Sequence, residues 1–391
     1  MPRIVTLSGL YPSSVRPRHG IFVEERLRHL VEDGSVSATV VAPVPWFPFT
    51  SRRFGAYATL ARTPVSDQRH GIDIRYPRYL SIPKIGMSVA PLLLAGALIR
   101  VLRHLRREQP DLALIDSHFL YPDGVAACLA GRVLKIPVLM TARGSDVNLY
   151  RRWWIPRTWL RWAIRQSAGV ITVSEALRDT LLALGADPGK VITLRNGVDL
   201  ERFKPLDRSA CRTRLHVDGF TLLSVGNLLP VKGHELVIDA LPGLPDTTLL
   251  IAGDGPLRAT LERQVRNLDV AQRVRFLGNL DQGELIEAYN AADALVLASS
   301  REGMPNVVLE SLACGTPVIA TAVGGTPELL DDPVAGRLLG ERSAAAIVAA
   351  VQALRQSPPD RGQVRGYSLK FSWQPTITGL ADVMRRVATT T

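Results

Sequence analysis

The stretch Arg301-Glu302-Gly303-Met304-Pro305-Asn306-Val307-Val308-Leu309-Glu310 follows the apolar run Ala294–Ala298. A short apolar run that stops at two serines reads as a buried strand. Pro305 suits the first turn of a helix, and Gly315 suits its end. Strand, loop and helix in this order place a helix N-terminus, with its free N–H groups, at the carboxyl end of a strand. Such ends are where open α/β sheets bind ligands, and free helix amides favour phosphate. Glu302 falls in the loop. Glu310 falls about one and a half turns into the helix, deeper along the same ligand. A carboxylate there can accept hydrogen bonds from a ribose diol. The plain alternative is a surface Glu and a helical Glu without a ligand, and spacing alone does not choose between them.

The same order recurs along the chain. Strands are expected at Arg3–Ser8, Ala38–Val41, Leu112–Asp116, Pro137–Thr141 and Gly169–Val173. A fresh series follows at Thr221–Val225, Thr248–Ala252, Arg273–Leu277, Ala294–Leu297 and Pro317–Ala320. Helical patterns lie between them, as at Phe22–Glu32, Val89–Arg107 and Gly124–Val133. Alternation of this kind implies α/β architecture with parallel sheets. The turn-rich Leu194-Arg195-Asn196-Gly197-Val198-Asp199 marks a break. It divides the chain into residues 1–197 and 198–371, with a terminal helix over 372–391. Two doubly wound domains facing each other are the expected result.

Composition narrows the function. At 391 residues, with 46% hydrophobic and 21% charged side chains, the chain is globular and long enough for two cores. Cys128, Cys211 and Cys314 lie far apart, which argues against a disulfide framework, a zinc site or a dithiol motif and fits a reducing compartment. The N-terminus meets turn residues too soon for a signal peptide. The longest uncharged apolar run, between Lys84 and Arg100, has 15 residues. About 20 are needed to span a bilayer, so a soluble, cytoplasmic protein is expected.

Other strand exits carry chemistry. Ser224-Val225-Gly226-Asn227-Leu228-Leu229-Pro230-Val231-Lys232-Gly233 ends a strand in a loop that supplies Lys232, a point charge able to neutralise a diphosphate. Gly253-Asp254-Gly255-Pro256 is a tight strand-to-helix turn, and Gly324-Gly325-Thr326-Pro327-Glu328 is another. Each motif alone is weak, because most Lys and Gly residues in turns are only solvated or structural.

Taken together and in order, these motifs resemble the retaining glycosyltransferases of family 4, whose GT-B fold has two facing Rossmann-like domains. The resemblance covers nearly the whole chain. Glu302 and Glu310 match that family's Glu pair, Lys232-Gly233 its Lys-Gly loop, Gly253–Pro256 its Gly-x-Gly-Pro turn, and Asn196–Asp199 its exit from the first domain. Phe371-Ser372-Trp373 looks like the start of the family's C-terminal helix, which crosses back to the N-terminal domain. The resemblance implies a nucleotide-sugar donor on the second domain. Lys232 would offset diphosphate charge, Glu302 would contact the sugar and Glu310 the ribose. Gly20, Asn227, Gly253, Gly255, Gly303, Met304, Pro305 and Asn306 would complete the donor site. His118 would lie near the reacting centre, and His118, Arg143 and Asp146 would meet the acceptor. The plainer reading of His118 is a hydrogen-bonded core residue. No cofactor or metal is expected, and no Asp-x-Asp signature occurs. Two departures stand out. Asn227 replaces an Arg common in the family, and Arg143 stands where the family often has His. Arg143 is expected to face the cleft and read an anionic group.

The charge is uneven. Residues 1–197 hold 27 basic and 14 acidic side chains, and the rest hold 20 and 22. The basic half contains Arg151-Arg152-Trp153-Trp154-Ile155-Pro156-Arg157-Thr158-Trp159-Leu160-Arg161-Trp162-Ala163-Ile164-Arg165, with Arg157, Arg161 and Arg165 on one helix face. Arg100, Arg103, Arg106 and Arg107 form a second cluster. Trp and Arg together suit a lipid headgroup region, so an anionic membrane surface, at the inner face of the membrane, joins a glycan or lipid-linked acceptor as an expected partner. The bland reading is a core helix with solvated arginines. No nucleic-acid motif accompanies the charge, and nucleic acid is not expected. Two other functions remain as alternatives: a GT-B-like nucleotide-sugar epimerase, and a non-catalytic sugar-nucleotide-binding protein.

Overall fold

The computed structural model describes residues 1–81 and 86–389. Ile85 of the expected apolar run and Thr390 and Thr391 of the expected terminal helix lie outside them. The chain forms two units, Met1–Arg195 with Trp373–Thr391, and Asn196–Ser372.

The first unit contains strands β1 (Arg3–Leu7), β2 (Ser37–Val41), β3 (Val44–Pro45), β4 (Ser66–Arg69), β5 (Ile72–Arg75), β6 (Arg78–Tyr79), β7 (Leu112–His118), β8 (Val138–Ala142), β9 (Gly169–Thr172) and β10 (Val191–Thr193). Its helices are α1 (Ile21–Glu32), α2 (Gly55–Ala61), α3 (Gly86–Glu108), α4 (Val125–Leu134), α5 (Ser145–Asn148), α6 (Trp154–Gln166) and α7 (Glu175–Ala183). The sheet order is β10-β9-β8-β7-β1-β2-β5-β4, parallel except where β4 meets β5. β3 and β6 form a separate parallel ribbon.

The second unit contains α8 (Arg208–Arg214), β11 (Phe220–Val225), α9 (His234–Ala240), β12 (Thr247–Ala252), α10 (Arg258–Asn267), β13 (Val274–Gly278), α11 (Gln282–Ala291), β14 (Ala294–Leu297), α12 (Asn306–Ala313), β15 (Val318–Thr321), β16 (Gly336–Leu339), α13 (Ala344–Gln356) and α14 (Arg361–Ser368). Its strands run β13-β12-β11-β14-β15-β16, all parallel. This is the doubly wound dinucleotide-fold order, and it reverses direction between β11 and β14. The first unit reverses in the same way between β1 and β7.

Each sheet is a packed centre. Leu222, Leu249, Ile251, Val296 and Ile319 are buried in one core with Val237 and Ile347 from helices. Ile4, Val40, Leu114, Leu139 and Ile171 are buried in the other with Val23 and Leu27 of α1. The terminal helix α15 (Trp373–Thr389) completes that first core with Ile377, Leu380, Val383 and Met384. Helix α3 runs past the uncharged stretch to Glu108, so by length and composition it could cross a membrane, which corrects the expectation that it is too short. Here it buries Leu94, Leu98, Leu102 and Leu105, spaced every three or four residues, as a core helix does. All three cysteines are free and buried.

Candidate active site

The loops after β11 and β14 meet at the reversal point of the second sheet. Glycines make this possible. Gly226 has φ 147, and the Lys232 stem lies against it, where a Cβ would stand 3.3 Å from the Lys232 Cδ. Gly233, at φ 72, sits so close to β14 that a Cβ would come within 2.1 Å of the Ala298 carbonyl oxygen. Lys232 is thereby held beside the exit of the neighbouring strand. Its Nζ donates to Glu302 Oε1 at 2.7 Å, with the Glu302 side chain only 11% exposed.

The Glu302 loop is fixed from the other side. Gly325 N–H donates to the Gly303 carbonyl at 2.8 Å, and a Cβ on Gly324 would stand 2.1 Å from the Glu302 carbonyl oxygen. Met304 is buried. Pro305 is the N-cap of α12 in extended conformation, one position earlier than a first-turn residue. Asn306 begins the helix, and its side-chain oxygen accepts from Asn196 Nδ2 at 2.8 Å. The α12 amides therefore open beside the Lys232–Glu302 pair without a side-chain cap. Glu310 Oε2 accepts from the Tyr289 hydroxyl at 2.8 Å, and burial beside this carboxylate raises the Tyr289 pKa.

The other residues expected in a donor site divide. Gly253 and Gly255 are needed by the chain itself, since added Cβ atoms would stand 2.0 Å from the Gly226 carbonyl oxygen and 2.7 Å from that of Leu228. They lock the β12 exit against the β11 exit. Asn227 is exposed, and its carbonyl accepts from Leu229 N–H. His234 was not singled out by the sequence; it is buried, Nδ1 lies 2.9 Å from Ser224 Oγ, and burial pushes its pKa down to about 4.

The reversal point of the first unit gathers a second group. Gly20 caps α1 at φ 78, where a Cβ would stand 2.2 Å from the Leu10 carbonyl oxygen. His118 closes β7 and is buried. Arg143 Nη2 donates to His118 Nδ1 at 2.9 Å, which leaves Nε2–H to donate to Asp116 Oδ2 at 3.1 Å. The ring is thus a neutral imidazole, and burial pushes its pKa down to about 4. Both ring nitrogens are engaged by neighbouring side chains. Arg143 is the residue expected to face the cleft and read an anionic group. It is 9% exposed, bonded to His118, and its guanidinium lies over the Phe22 ring at 5.2 Å. Asp146 is likewise turned inward, accepting from Leu120, Arg143 and Gly144 backbone N–H groups. It clamps the loop after β8, with no carboxylate oxygen left over from those bonds.

Sequence reading missed Asp116, Asp123 and Arg26. Asp116 and His118 share one strand face at a spacing of two, a signal that could have found the pair. Asp123 is buried next to Gly9, whose backbone N–H it accepts, and burial pushes its carboxyl up to about 7. Arg26 is buried beside Asp116.

Known proteins share this layout. Residues 20–202 match the family described as Glycosyltransferase Family 4, and residues 212–370 match Glycosyl transferases group 1. TuaC of Bacillus subtilis, named for a glycosyltransferase of teichuronic acid biosynthesis, is 30% identical over 336 residues, 84% of this chain and 82% of the relative. The D-inositol 3-phosphate glycosyltransferase of Actinosynnema mirum is 33% identical over 349 residues, 81% of this chain and 83% of the relative. The structure of Anabaena HepE in complex with UDP superposes with a TM-score of 0.73 at 21% identity, covering 99% of this chain and 100% of that one. Kinship over more than 80% of the chain and two Rossmann-like units lead to one assignment: this chain belongs to glycosyltransferase family 4 and is a glycosyltransferase of the GT-B fold.

Proposed function

We propose that the protein is a retaining glycosyltransferase that moves a hexose-type sugar from a nucleotide donor to a hydroxyl of a surface glycan or a lipid-linked acceptor. The observation that carries the donor side is the Lys232–Glu302 pair, 2.7 Å apart at the reversal point of the second sheet. A nucleotide sugar brings two negative phosphates and a ring of hydroxyls. Lys232 and the open amides of α12 offset the phosphates as the sugar leaves, and Glu302 accepts from sugar hydroxyls. Glu310, braced by Tyr289, accepts from the ribose. Retention needs no enzyme nucleophile in this scheme. The departing phosphate takes the acceptor proton on the sugar's front face, so positioning and charge stabilisation carry the catalysis. The HepE complex with UDP, and the teichuronic acid role for which TuaC is named, support the donor class and the polysaccharide setting.

The first unit takes the acceptor in this reading, at the cytoplasmic face of a membrane. Its basic surplus and α6 support that setting: Trp153 and Trp154 are 64% and 72% exposed, and Arg151, Arg152, Arg157, Arg161 and Arg165 are exposed beside them. The test is thermal unfolding with UDP-, GDP- and ADP-sugars, repeated on Lys232→Ala. One nucleotide class is expected to raise the wild-type midpoint, and Lys232→Ala to remove most of the rise. No stabilisation across the panel overturns the donor assignment, and inversion at the anomeric carbon of the product overturns retention.

A further inference from the structure

Two long windows of the first unit hold no acidic residue. They are 34–66 and 74–107, and they carry ten Lys and Arg between them. The structure brings Trp46 of the first window to line a cavity with Arg78 and Arg100 of the second. After β3 the chain forms a strap, Trp46 to Tyr57, in which Phe47 lies 5.4 Å from Phe54 and 5.3 Å from Tyr57, and Phe49 stacks on Phe54 at 5.2 Å. These rings pack mainly on one another. Trp46 and Phe49 are each 53% exposed and Tyr57 is 50% exposed. Leu80, just after β6, and Leu92, on α3, are also half exposed.

A cavity of about 280 Å³ opens among β3, β6 and α3, lined by Trp46, Tyr79, Leu80, Leu93 and Ala97, with Arg78 and Arg100 among its walls. Along α3 the exposed residues Leu92, Gly96, Arg100, Arg103 and Arg107 recur every three or four positions, so they share one face. That face is apolar towards its N-terminal half and cationic beyond. Arg53 adds a further exposed charge, 4.8 Å from the Phe54 centroid.

Half-exposed aromatic rings bordered by arginines, on segments that carry no acidic residue of their own, match the boundary between lipid headgroups and acyl chains. Single-stranded nucleic acid would need ring faces open for stacking, and here Phe49 and Phe54 occupy each other's faces. We propose that the strap, the end of β6 and the exposed face of α3 dock the first unit on an anionic bilayer. Trp46, Phe49, Tyr57, Leu80 and Leu92 enter the acyl boundary, Arg53, Arg100 and Arg103 meet lipid phosphates, and the cavity seats a hydrocarbon chain. This deepens the membrane-side reading of the transferase and differs from it in placing the contact at the strap rather than at α6.

The test is flotation with phosphatidylcholine vesicles and with mixed phosphatidylglycerol–phosphatidylcholine vesicles. The wild type is expected to float only with the anionic mixture. The triple change Trp46→Ser, Phe49→Ser, Tyr57→Ser is expected to lower the bound fraction roughly tenfold. Arg100→Glu with Arg103→Glu is expected to lower it by roughly fivefold per arginine and to flatten its salt dependence. Trp153→Ser with Trp154→Ser is expected to leave most binding in place. Should the triple variant fail to fold, quenching by brominated acyl chains serves instead, with Trp46→Phe removing most of the quenching. Full binding by the strap variants and loss by the Trp153/Trp154 variant would move the contact to α6 and sink this inference alone. A wild type that ignores every vesicle, or prefers an oligonucleotide, also overturns it; the nucleotide-sugar thermal shift then reports separately whether the transferase reading stands.

Discussion

Lys232 and Glu302 answer each other's charge, and the pair fixes the lysine beside the exit of β14. Replacing Lys232 with Ala removes both the cation proposed to meet the diphosphate and the partner of a mostly buried carboxylate. A fall in kcat/KM of roughly 100-fold or more is expected from initial-rate kinetics. The first unit offers a second test at this scale. His118 has a folded-state pKa near 4 against an ordinary 6.5, so its contribution to stability is present above pH 6.5 and lost as pH falls towards 4. His19, pushed down to about 4 by burial and Arg16, acts in the same direction. Asp123 has the opposite sign. Its carboxyl is raised from 3.8 to about 7, so its contribution is present below pH 3.8 and lost as pH rises through 7. Asp146, also raised by burial, adds to Asp123. The two trends oppose each other across one window. Asp123→Asn is therefore expected to make stability climb more steeply with pH between 4 and 7, and His118→Asn to reverse that change. Denaturant midpoints measured across this range check both; identical slopes in the two variants would refute the assignment.

The elements are held in register by loops more than by strand residues. Gly253 is the clearest case, because its φ of 137 and the 2.0 Å approach to the Gly226 carbonyl exclude any side chain. Gly253→Ala is expected to destabilise the second unit by about 1–3 kcal/mol, read as a lower denaturant midpoint, with donor affinity falling as the β11 exit shifts. The sequence showed most strands to within a residue or two, because a buried parallel strand is a short apolar run bounded by turn residues. It did not show β3, β4, β5, β6, β10 or β16. Val191–Thr193 is too brief to carry a pattern, and Gly336-Arg337-Leu338-Leu339 begins with the residue least associated with strands. The site was legible where its logic is local, as with Glu302, Pro305 and Asn306 between one strand and one helix. It was hidden where partners lie far apart in the chain. Tyr289 reaches Glu310 across 21 positions, Lys232 reaches Glu302 across 70, and the inward turn of Arg143 depends on His118, 25 residues earlier.

At the scale of the whole molecule, charge and connectivity separate the units. The basic surplus belongs to residues 1–197, while the half that holds Lys232 is close to neutral. Nucleotide binding therefore does not account for the surplus. Connectivity gives the next prediction. Truncation after Ser372 removes Ile377, Leu380, Val383 and Met384 from the first core. At about 1.5–3 kcal/mol each, the loss of roughly 6–12 kcal/mol is comparable with the whole stability of a typical domain. Limited proteolysis of the truncated protein is expected to degrade the first unit while sparing a fragment near 196–372. Equal resistance of both parts would refute the dependence.

The place of α15 also orders events on the ribosome. Domains tend to fold as units during synthesis, the N-terminal one usually first. Here the second unit is complete once Ser372 has emerged, whereas the first still lacks its last helix. Its apolar sheet must wait, through the making of 177 intervening residues, for a segment that is made after the whole second unit. The half of the enzyme that is translated first is the half that finishes folding after the other, and a stalled or prematurely ended chain would present a finished second unit joined to an open first one.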